Sequence, residues 1–386
     1  MTNVLAGPYC GYQLALLGAD VIKVEMPGTG DLARQLGADP GLNADGLGAS
    51  FLAQNAGKRS VEIDLKDAEG EREFKELLCD ADVLLENFRP GVLSRLGYPW
   101  ETLQEINPGL IYCAISGFGQ SGPMSDRPAY DQIIQGLAGM MSVTGNEEVS
   151  PLRAGFPVSD TVGGLAGAMA VCAALLERSR SGRGHVLDIS MLETSASAMG
   201  WAVSNYLITG QPPTPMGNDN ATAAPSGAFP TADGLINIAP NKQEQFEKLC
   251  ELIGQSELPK DPRFVCREDR KANRDAINHA ISAGLAAKPA SEWEVLLSEN
   301  GVPAARVLSV PQMVELEQLA VRGFFTDLPF PGRPGRTLRV SGNGVMVDGV
   351  ACSVTNAPPL LGEHNSEVLS EQRRRTAELT SRKSGQ

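Results

Sequence analysis

Short apolar runs alternate with amphipathic segments through the first half of the chain. The run at 19–25 (ADVIKVE) predicts a strand, the charged segment at 67–79 predicts a helix, and the run at 81–87 predicts the next strand. Further strands are predicted at 110–116 and at 185–193. Apolar strands that alternate with helices are typical of a parallel sheet covered on both faces, so the predicted fold class is α/β.

Two helices are predicted around an extended segment in the middle of the chain. Residues 129–143 have helical apolar spacing, and the Ala-rich segment 161–184 carries arginines near its C-terminal end and a Gly stop. The segment between them, 151–160, is predicted to be extended and ends at Asp160.

A change of composition at 211–227 predicts a boundary. This segment is rich in Pro, Asn, Ala and Gly, which is typical of a linker or a mobile loop. A chain of 386 residues is too long for one ordinary core, so residues 228–320 are predicted to form a second, smaller α+β domain. The final residues, rich in Arg, Ser and Glu, predict a frayed helix.

Composition and charge argue against several classes of protein. The chain is 42% hydrophobic and 20% charged, as in ordinary globular proteins. A net charge of −13 argues against a nucleic-acid partner, because phosphate binding requires a basic surface. No run of 18 apolar residues predicts a membrane span and no signal peptide is visible, so a cytoplasmic location is expected. The seven cysteines form no CxxC pair and the three histidines are dispersed, so no metal site is expected.

The run GFGQSG at 117–122 has the spacing of a dinucleotide-binding fingerprint. Such a site requires a helix to begin within the run, so that the pyrophosphate meets the helix N-terminus. Pro123 and Pro128 follow instead, and no helix is predicted there. A nicotinamide cofactor is therefore not expected.

Asp160 is the strongest candidate for chemistry, and the pattern leaves two interpretations open. It lies in the run Ser159–Asp160–Thr161 before a long helix, and all three residue types serve well as helix N-caps. The same place would hold a carboxylate near the positive end of the helix dipole, and carboxylates act as covalent nucleophiles. The neighbouring Gly163–Gly164 pair would leave room for a bulky acyl group.

Basic and aromatic residues lie near the ends of the predicted strands, with Lys58 and Arg59 before one strand and Asn87, Phe88 and Arg89 after another. Singly, each is typical of a solvated charge or a cap. Together they would lie at the carboxyl ends of parallel strands, where open α/β sheets bind ligands and where phosphate groups need such donors. These residues are Lys58, Arg59, Asn87, Phe88, Arg89, Arg95, Arg127 and Tyr130.

With these motifs the chain resembles the class III CoA-transferase family, which contains formyl-CoA, carnitine-CoA and dicarboxylate CoA-transferases and is related to α-methylacyl-CoA racemase. The resemblance extends from residue 4 to residue 369, and it depends on the order and spacing of many short stretches. These include VLAGPYC (4–10), LGADVIKVE (17–25), NAGKRSVEIDLK (55–66), ENFRPG (86–91), GFGQSGP (117–123), RPAYD (127–131), SGRGHVLDISMLE (181–193), DPRF (261–264), GVPAARV (301–307) and PPLLGEH (358–364).

The resemblance implies a fold and a reaction. The fold would be an interlocked homodimer, each chain with a Rossmann-like large domain built from residues 1–205 and 321–386 and with a linker and small α+β domain at 206–320. The reaction would move CoA from an acyl-CoA donor to a small carboxylate acceptor. Coenzyme A would be the substrate and acyl carrier, with no metal or redox cofactor. Dicarboxylates such as succinate, itaconate, mesaconate or citramalate are the leading candidates.

The resemblance also implies a site. Asp160 would be the nucleophile, forming first a mixed anhydride and then an aspartyl-CoA thioester. The family's coenzyme contacts would fall on ten residues of this chain. They are Leu5, Ala6, Ile63, Lys66, Asn87, Phe88, Arg89, Arg95, Ala129 and Tyr130.

Three departures from the family pattern limit what can be transferred. The family's first strand, which precedes VLAGP, is missing or shortened here. Met26 stands where some members carry a coenzyme-binding arginine. The polyglycine lid of formyl-CoA transferase is not evident at 217–227, so oxalate and formate are less expected as substrates.

Two alternatives to transfer stay open. A racemase of this fold removes an α-proton with a His–Asp pair, and its histidine would fall at Tyr130. Because no histidine precedes residue 185, transfer is favoured over epimerisation of an acyl-CoA. An inactive CoA-binding protein is the other alternative, and the presence of Asp160 argues against it.

Overall fold

The computed structural model describes residues 1–371, which form two compact units. The second unit consists of Met141–Leu152 and Pro212–Leu316, and the rest of the described chain forms the first. These boundaries differ from the predicted domains chiefly at Met141–Leu152. That segment closes on itself, because Leu152 N–H donates to Met141 O at 3.2 Å, and it is joined to Pro212–Leu316 by a hydrogen bond from Gly217 N–H to Gly145 O at 2.6 Å. The frayed helix predicted for the final residues lies outside the described residues.

The first unit is a mixed α/β structure with parallel sheets, as the alternating pattern predicts. Its helices are α1 (Ala6–Leu16), α2 (Pro40–Ala44), α3 (Ala49–Asn55), α4 (Ala68–Asp80), α5 (Val92–Arg95), α6 (Trp100–Ile106), α7 (Asp131–Leu137), α8 (Val158–Ser181), α9 (Met191–Ala198), α10 (Trp201–Thr209) and α16 (Glu317–Val321). Its strands are β1 (Val21–Glu25), β2 (Lys58–Glu62), β3 (Val83–Glu86), β4 (Ile111–Ser116), β5 (Val186–Ser190), β9 (Phe325–Pro329), β10 (Thr337–Ser341), β11 (Met346–Val347) and β12 (Val350–Ala351).

Two parallel sheets organise this unit. Strands β1 and β2 form one, and β3, β4 and β5 form the other with β4 in the centre. Strands β9 and β10, and β11 and β12, form antiparallel pairs. Residues 1–5 carry no strand. They lie between the sheets, because the Met1 ammonium donates to Leu85 O of β3 and Lys23 Nζ of β1 donates to Thr2 O, each at 2.9 Å.

Several predicted boundaries shift for identifiable reasons. The predicted strand at 185–193 ends at Ser190, whose hydroxyl accepts the Glu193 N–H at 3.3 Å and begins α9. The predicted helix at 129–143 is interrupted at Gly139, which has φ +80°. The long helix α8 begins at Val158, inside the segment predicted to be extended. Its predicted stop is confirmed, because Gly182 has φ +72° and donates its N–H to Arg178 O.

The second unit combines a small antiparallel sheet with a group of helices. Its strands are β6 (Gly227–Pro230), β7 (Leu235–Ile238) and β8 (Ala304–Arg306), and its helices are α11 (Gln243–Leu252), α12 (Arg267–Ala272), α13 (Arg274–Leu285), α14 (Ala290–Glu299) and α15 (Val310–Val314). Strand β7 lies between β6 and β8. The helices bury Phe246, Leu285 and Trp293 in one hydrophobic core, where Trp293 Nε1 donates to Leu285 O at 2.8 Å. Within residues 1–371, three 3-10 turns occupy Leu32–Gln35, Met140–Val143 and Leu258–Lys260.

Helix α8 is long and apolar enough to cross a membrane by length and composition, which the sequence did not lead us to expect. A helix that is apolar on most of its surface is typical either of a membrane span or of the centre of a globular unit. Here α8 packs along α1 and also contacts β4 and α9, so it has the contacts of a central helix of the first unit. The other side of α8 is exposed at Leu165, Met169 and Leu176.

Candidate active site

Asp160 lies in the first turn of α8, as the third residue of the helix. Pro157 is the N-cap residue, and no N–H in residues 1–371 is capped by the Asp160 side chain. Instead, the N–H groups of Ser159 and Asp160 point to Asp131 Oδ1, at 2.8 and 3.4 Å. The N-cap interpretation of Asp160 is therefore wrong, and the capping carboxylate comes from a different helix. This leaves the Asp160 carboxylate available for chemistry.

Asp131 is fixed in place by its own contacts. It is the first residue of α7 and is only 7% exposed. Gln135 Nε2, one turn later, donates to Asp131 Oδ2 at 2.6 Å, and Gln135 Oε1 accepts the N–H of Ala154 at 2.9 Å. One carboxylate thus ties the start of α7 to the start of α8. The motif RPAYD contains Asp131, but an acidic residue at a helix start is the only sign of this role in the sequence.

The pKa of Asp160 is raised from 3.8 to about 7. Burial is the larger cause, because it removes water from the carboxylate, and the negative charge of Asp131 is the second. A carboxylate in such surroundings is poorly solvated when ionised. Perturbed carboxyl groups of this kind cluster at functional sites.

Three glycines let α8 lie directly on its neighbours. A Cβ on Gly164 would stand 2.7 Å from Ala6 O of α1, one on Gly167 would stand 2.9 Å from an Ile115 side-chain carbon, and one on Gly163 would stand 3.0 Å from Met191. Gly163 and Gly164 are therefore buried packing positions, and the prediction that they leave room for an acyl group is wrong. Because Gly164 lies four residues after Asp160 on the same helix face, Asp160 faces the start of α1.

The start of α1 carries the predicted coenzyme residues Leu5 and Ala6. Leu5 is the N-cap of the helix, and Ala6 is buried against α8 and β4. Asn87, at the carboxyl end of β3, binds the peptide groups on either side of Asn3 through both ends of its amide. The structure therefore brings Leu5, Ala6 and Asn87 together beside the helix that holds Asp160.

The loop after β3 places Phe88, Arg89 and Arg95. Glu86 Oε2 accepts the Phe88 N–H at 2.6 Å, and its other oxygen accepts the Tyr112 hydroxyl at 2.9 Å. Burial raises the pKa of Glu86 despite these donors. Arg89 and Arg95 are exposed, and neither makes an ion pair within the part of the chain that is described. The guanidinium groups of Arg89 and Arg95 thus lie at the carboxyl edge of the sheet with no ion-pair partner among the described residues.

The remaining predicted residues lie at two other places. Ile63 follows β2, and its side chain is packed in the hydrophobic core, so only its backbone could meet a ligand. Lys66 is exposed nearby, and no described hydrogen bond or ion pair joins either residue to Asp160. Ala129 packs against Gly117, where an added Cβ would stand 2.5 Å away. Tyr130 is 66% exposed and immediately precedes Asp131, which places it beside the Asp160 helix.

The GFGQSG run forms a turn after β4. No helix begins within it, as predicted, because the next helix starts at Asp131. Asp188 of β5 holds the turn through the Gln120 N–H, at 3.0 and 3.1 Å. A dinucleotide site of the Rossmann type is not formed here.

Two of the three histidines make contacts away from Asp160, and the third lies in the second unit. His185 pairs with Glu177, and His364 Nδ1 accepts the Ser60 N–H at 3.3 Å. His279 lies in α13 of the second unit. Among the described residues, no group of three or more His, Cys, Asp or Glu side chains is placed to hold a metal. All seven cysteines are free thiols.

The chain is similar to known proteins over almost its entire length. The profile of CoA-transferase family III matches residues 1–365. Succinate–glutarate CoA-transferase of Agrobacterium fabrum is 36% identical over 374 residues, which cover 96% of this chain and 93% of the relative. Acetyl-CoA:oxalate CoA-transferase of Acetobacter aceti is 40% identical over 344 residues, which cover 89% and 87%. The crystal structure of a CAIB/BAIF family protein from Brucella suis has a TM-score of 0.85 and 34% identity, covering 96% of this chain and 97% of that one.

Proposed function

The chain belongs to CoA-transferase family III, and from this we propose that it moves CoA between dicarboxylic acids, with Asp160 as the covalent nucleophile. The leading acceptors are succinate, itaconate, mesaconate and citramalate. The proposal rests on the partly buried Asp160 carboxylate, whose pKa is about 7 and which lies beside the start of α1. Such a group is partly ionised at neutral pH and poorly solvated, which favours attack on a thioester carbonyl.

The proposed reaction exchanges one activated acyl bond for another. The Asp160 carboxylate attacks the donor thioester, the C–S bond breaks, and a mixed anhydride and a CoA thiolate form. The thiolate attacks the aspartyl carbonyl, which releases the donor acid and leaves an aspartyl-CoA thioester. The acceptor carboxylate then attacks this thioester, and the released thiolate takes the acceptor's acyl group from the new anhydride. No net proton is consumed, and the Asp160 carboxylate is restored.

The position of Asp131 supports this assignment. Its carboxylate accepts the first N–H groups of α8, which fixes the helix start, and its charge raises the pKa of Asp160. Asp131 thus acts through Asp160 as a positioning residue. An acyl-CoA racemase would need a proton-transfer base beside Asp160, and Tyr130 occupies the position where the family's racemase has histidine. Since His185 and His364 have other partners, transfer is the better supported reaction.

The coenzyme would be held by cations at the carboxyl edge of the sheets. Arg89 and Arg95 follow β3, and Lys66 follows β2; all three side chains are exposed. Guanidinium and ammonium groups in such places suit the pyrophosphate and the 3′-phosphate of CoA. The net charge of −13 does not oppose this, because a local basic edge is sufficient.

The acceptor is tested with a panel. The purified protein is incubated with succinyl-CoA and, separately, with glutarate, itaconate, mesaconate, citramalate, oxalate and formate, and new acyl-CoA esters are measured by mass spectrometry. The proposal expects the longer dicarboxylates to be preferred. Oxalate is the informative rival, because the Acetobacter aceti relative is named for it. Transfer to oxalate alone would overturn the acceptor assignment, and α-deuterium exchange without an acceptor would favour a racemase.

We further propose that two chains form an interlocked homodimer with Rossmann-like large domains. In support, α10 has no buried residue although it carries Trp201, Leu207 and Ile208, of which Ile208 is 82% exposed. The outer side of α8 adds Met169 at 72%. Apolar surface of this extent requires a cover in water, and a second copy is the cover that the family resemblance implies.

The seven free thiols of the chain suit a reducing compartment, and we propose the cytoplasm as its location.

The dimer is tested by sedimentation of the wild type and of two charge variants. Ile208→Glu would place a charge in the covered surface and is expected to yield monomers or insoluble protein. Val350→Glu is the matched control, because Val350 is 70% exposed on a different element, β12. A wild type that sediments as a monomer at micromolar concentration would contradict the dimer.

A further inference from the structure

We propose that Asn87 holds Val4 in a left-handed backbone conformation and thereby positions the backbone on which the coenzyme rests. Asn87 is then a positioning residue, whereas the family resemblance alone suggests a coenzyme contact. The inference deepens the proposed function and rests on it.

Val4 has a backbone conformation that its side chain disfavours. Its φ is +64°, and Asp348 is the only other non-glycine residue of the described chain with a positive φ. A β-branched residue is a genuine outlier in this region, because Cβ crowds the backbone. Such a conformation persists only where the surroundings enforce it.

Asn87 supplies one of the enforcing contacts. Its Nδ2 donates to Asn3 O at 2.9 Å, and its Oδ1 accepts the Asn3 N–H at 2.8 Å. The side-chain amide of Asn87 is therefore hydrogen-bonded to the peptide groups on both sides of Asn3, the residue that immediately precedes Val4. Gly7 permits this approach, because a Cβ at Gly7 would stand 2.9 Å from Asn87 Cγ.

A buried ion pair supplies the second contact. Asp31 Oδ1 accepts the Val4 N–H at 2.9 Å, and Asp31 Oδ2 pairs with Lys23 Nζ at 2.8 Å. Lys23 Nζ also donates to Thr2 O at 2.9 Å. Both charged side chains are almost fully buried, so water does not compete for these hydrogen bonds. The turn is therefore held on one side by Asn87 and on the other by the Asp31–Lys23 pair.

The conformation of Val4 determines where the next residues lie. Leu5 is the N-cap of α1, and its carbonyl accepts the Tyr9 N–H at 2.7 Å. Ala6 O faces Gly164 of the Asp160 helix. If Val4 relaxed to a negative φ, the backbone of Leu5 and Ala6 would turn away from its present direction. A coenzyme that rests on this backbone would then be misplaced relative to Asp160.

The test is a double-mutant cycle in which glycine replaces Val4, because glycine adopts a positive φ without strain. The affinity for CoA is measured by calorimetry for the wild type, Asn87→Ala, Val4→Gly and the double variant. The Asn87→Ala variant loses two hydrogen bonds and should bind CoA about tenfold more weakly than the wild type. Val4→Gly alone should weaken it by about threefold, and the double variant should match Val4→Gly to within about twofold.

Two outcomes overturn the proposal. If the double variant binds as weakly as the product of the single effects, Asn87 acts independently of Val4, as a direct ligand would. If Asn87→Ala binds CoA as tightly as the wild type, Asn87 has no positioning role. Asn87→Asp keeps the acceptor for the Asn3 N–H, removes the donor to Asn3 O and adds a negative charge, and it replaces Asn87→Ala in the cycle if the alanine variant does not fold.

Two controls separate positioning from general loss of stability. Asn107 makes equivalent bonds elsewhere in the first unit, with Nδ2 donating to Leu78 O and Ala81 O, so Asn107→Ala should lower the melting temperature and leave CoA affinity unchanged. Asp348→Gly relieves the other positive φ and should not rescue Asn87→Ala.

Binding of CoA is measured without any transfer, so the two proposals can fail separately. A wild type that binds CoA, shows the rescue and transfers nothing contradicts the proposed function alone. A wild type that transfers CoA without the rescue contradicts only the role of Asn87. A wild type that binds no CoA contradicts both.

Discussion

Replacing Asp160 by asparagine is expected to stabilise the protein at alkaline pH while it removes the nucleophile. The pKa of Asp160 is about 7 in the folded protein against 3.8 for an ordinary aspartate. Each tenfold difference in proton affinity corresponds to about 1.4 kcal/mol, so ionised Asp160 costs the fold up to about 4 kcal/mol. Asparagine has nearly the same shape and cannot ionise, so the variant avoids this cost.

The sign of the effect depends on pH. Below pH 3.8 the carboxyl group is protonated in both the folded and the unfolded chain, and the wild type and Asp160→Asn should differ little. As the pH rises, this carboxyl group ionises first in the unfolded chain and stays protonated in the folded protein. The free energy of unfolding of the wild type therefore falls until the folded carboxyl group has also ionised, near pH 7. Above about pH 8, the free energies of unfolding of the wild type and Asp160→Asn should differ by the full cost of the ionised carboxylate.

The assay is thermal unfolding of the wild type and Asp160→Asn from pH 4.5 to pH 9. The expected gain at pH 8.5 is about 5 °C for a chain of this size, and the gain should shrink toward acid pH. Asp327→Asn is the control, since Asp327 is exposed and pairs with Arg339 at 2.8 Å, and this contact lowers the pKa of Asp327. The control should show no alkaline gain. If Asp160→Asn is no more stable than the wild type at pH 8.5, the Asp160 carboxylate is not desolvated as described.

Two further outcomes follow from the same geometry. The kcat/KM for succinyl-CoA should rise with pH to a plateau, with a midpoint near 7, and Asp131→Asn should move this midpoint to lower pH because it removes the adjacent negative charge. A midpoint that Asp131→Asn leaves in place would contradict the coupling of the two carboxyl groups. Gly164→Val should destabilise the protein by about 3 kcal/mol, because its Cβ would stand 2.7 Å from Ala6 O, whereas Gly155→Val should cost little, since nothing lies within 4 Å of that position.

The sequence predicted the sheets and the long helix because these depend on local patterns. Strands β1, β3 and β4 appear within two residues of the predicted limits, since each is a short apolar run between polar turns. The predicted start of α8 at residue 161 is three residues later than the observed start at Val158. Its first N–H groups are satisfied by Asp131, which is distant in sequence, and no local cap marks the start.

The chemistry at the site was less accessible from the sequence. Asp160 could be named because the resemblance extends over most of the chain, while its local pattern favoured a cap. The roles of Asp131 and Asn87 depend on contacts between residues that are distant in the chain, such as the bonds from Asn87 to Asn3. The prediction for Gly163 and Gly164 is wrong for a similar reason. A glycine that leaves room for a ligand cannot be distinguished by sequence from one that lets two helices pack closely.

The role of Asp160 as the covalent nucleophile is tested by trapping the aspartyl intermediate. The protein is incubated with succinyl-CoA without an acceptor and then treated with hydroxylamine, and its peptides are examined by mass spectrometry. We expect a hydroxamate on Asp160, and we expect Asp160→Ala to show neither this modification nor transfer activity. A hydroxamate on another carboxylate, or full transfer activity in Asp160→Ala, would contradict Asp160 as the nucleophile.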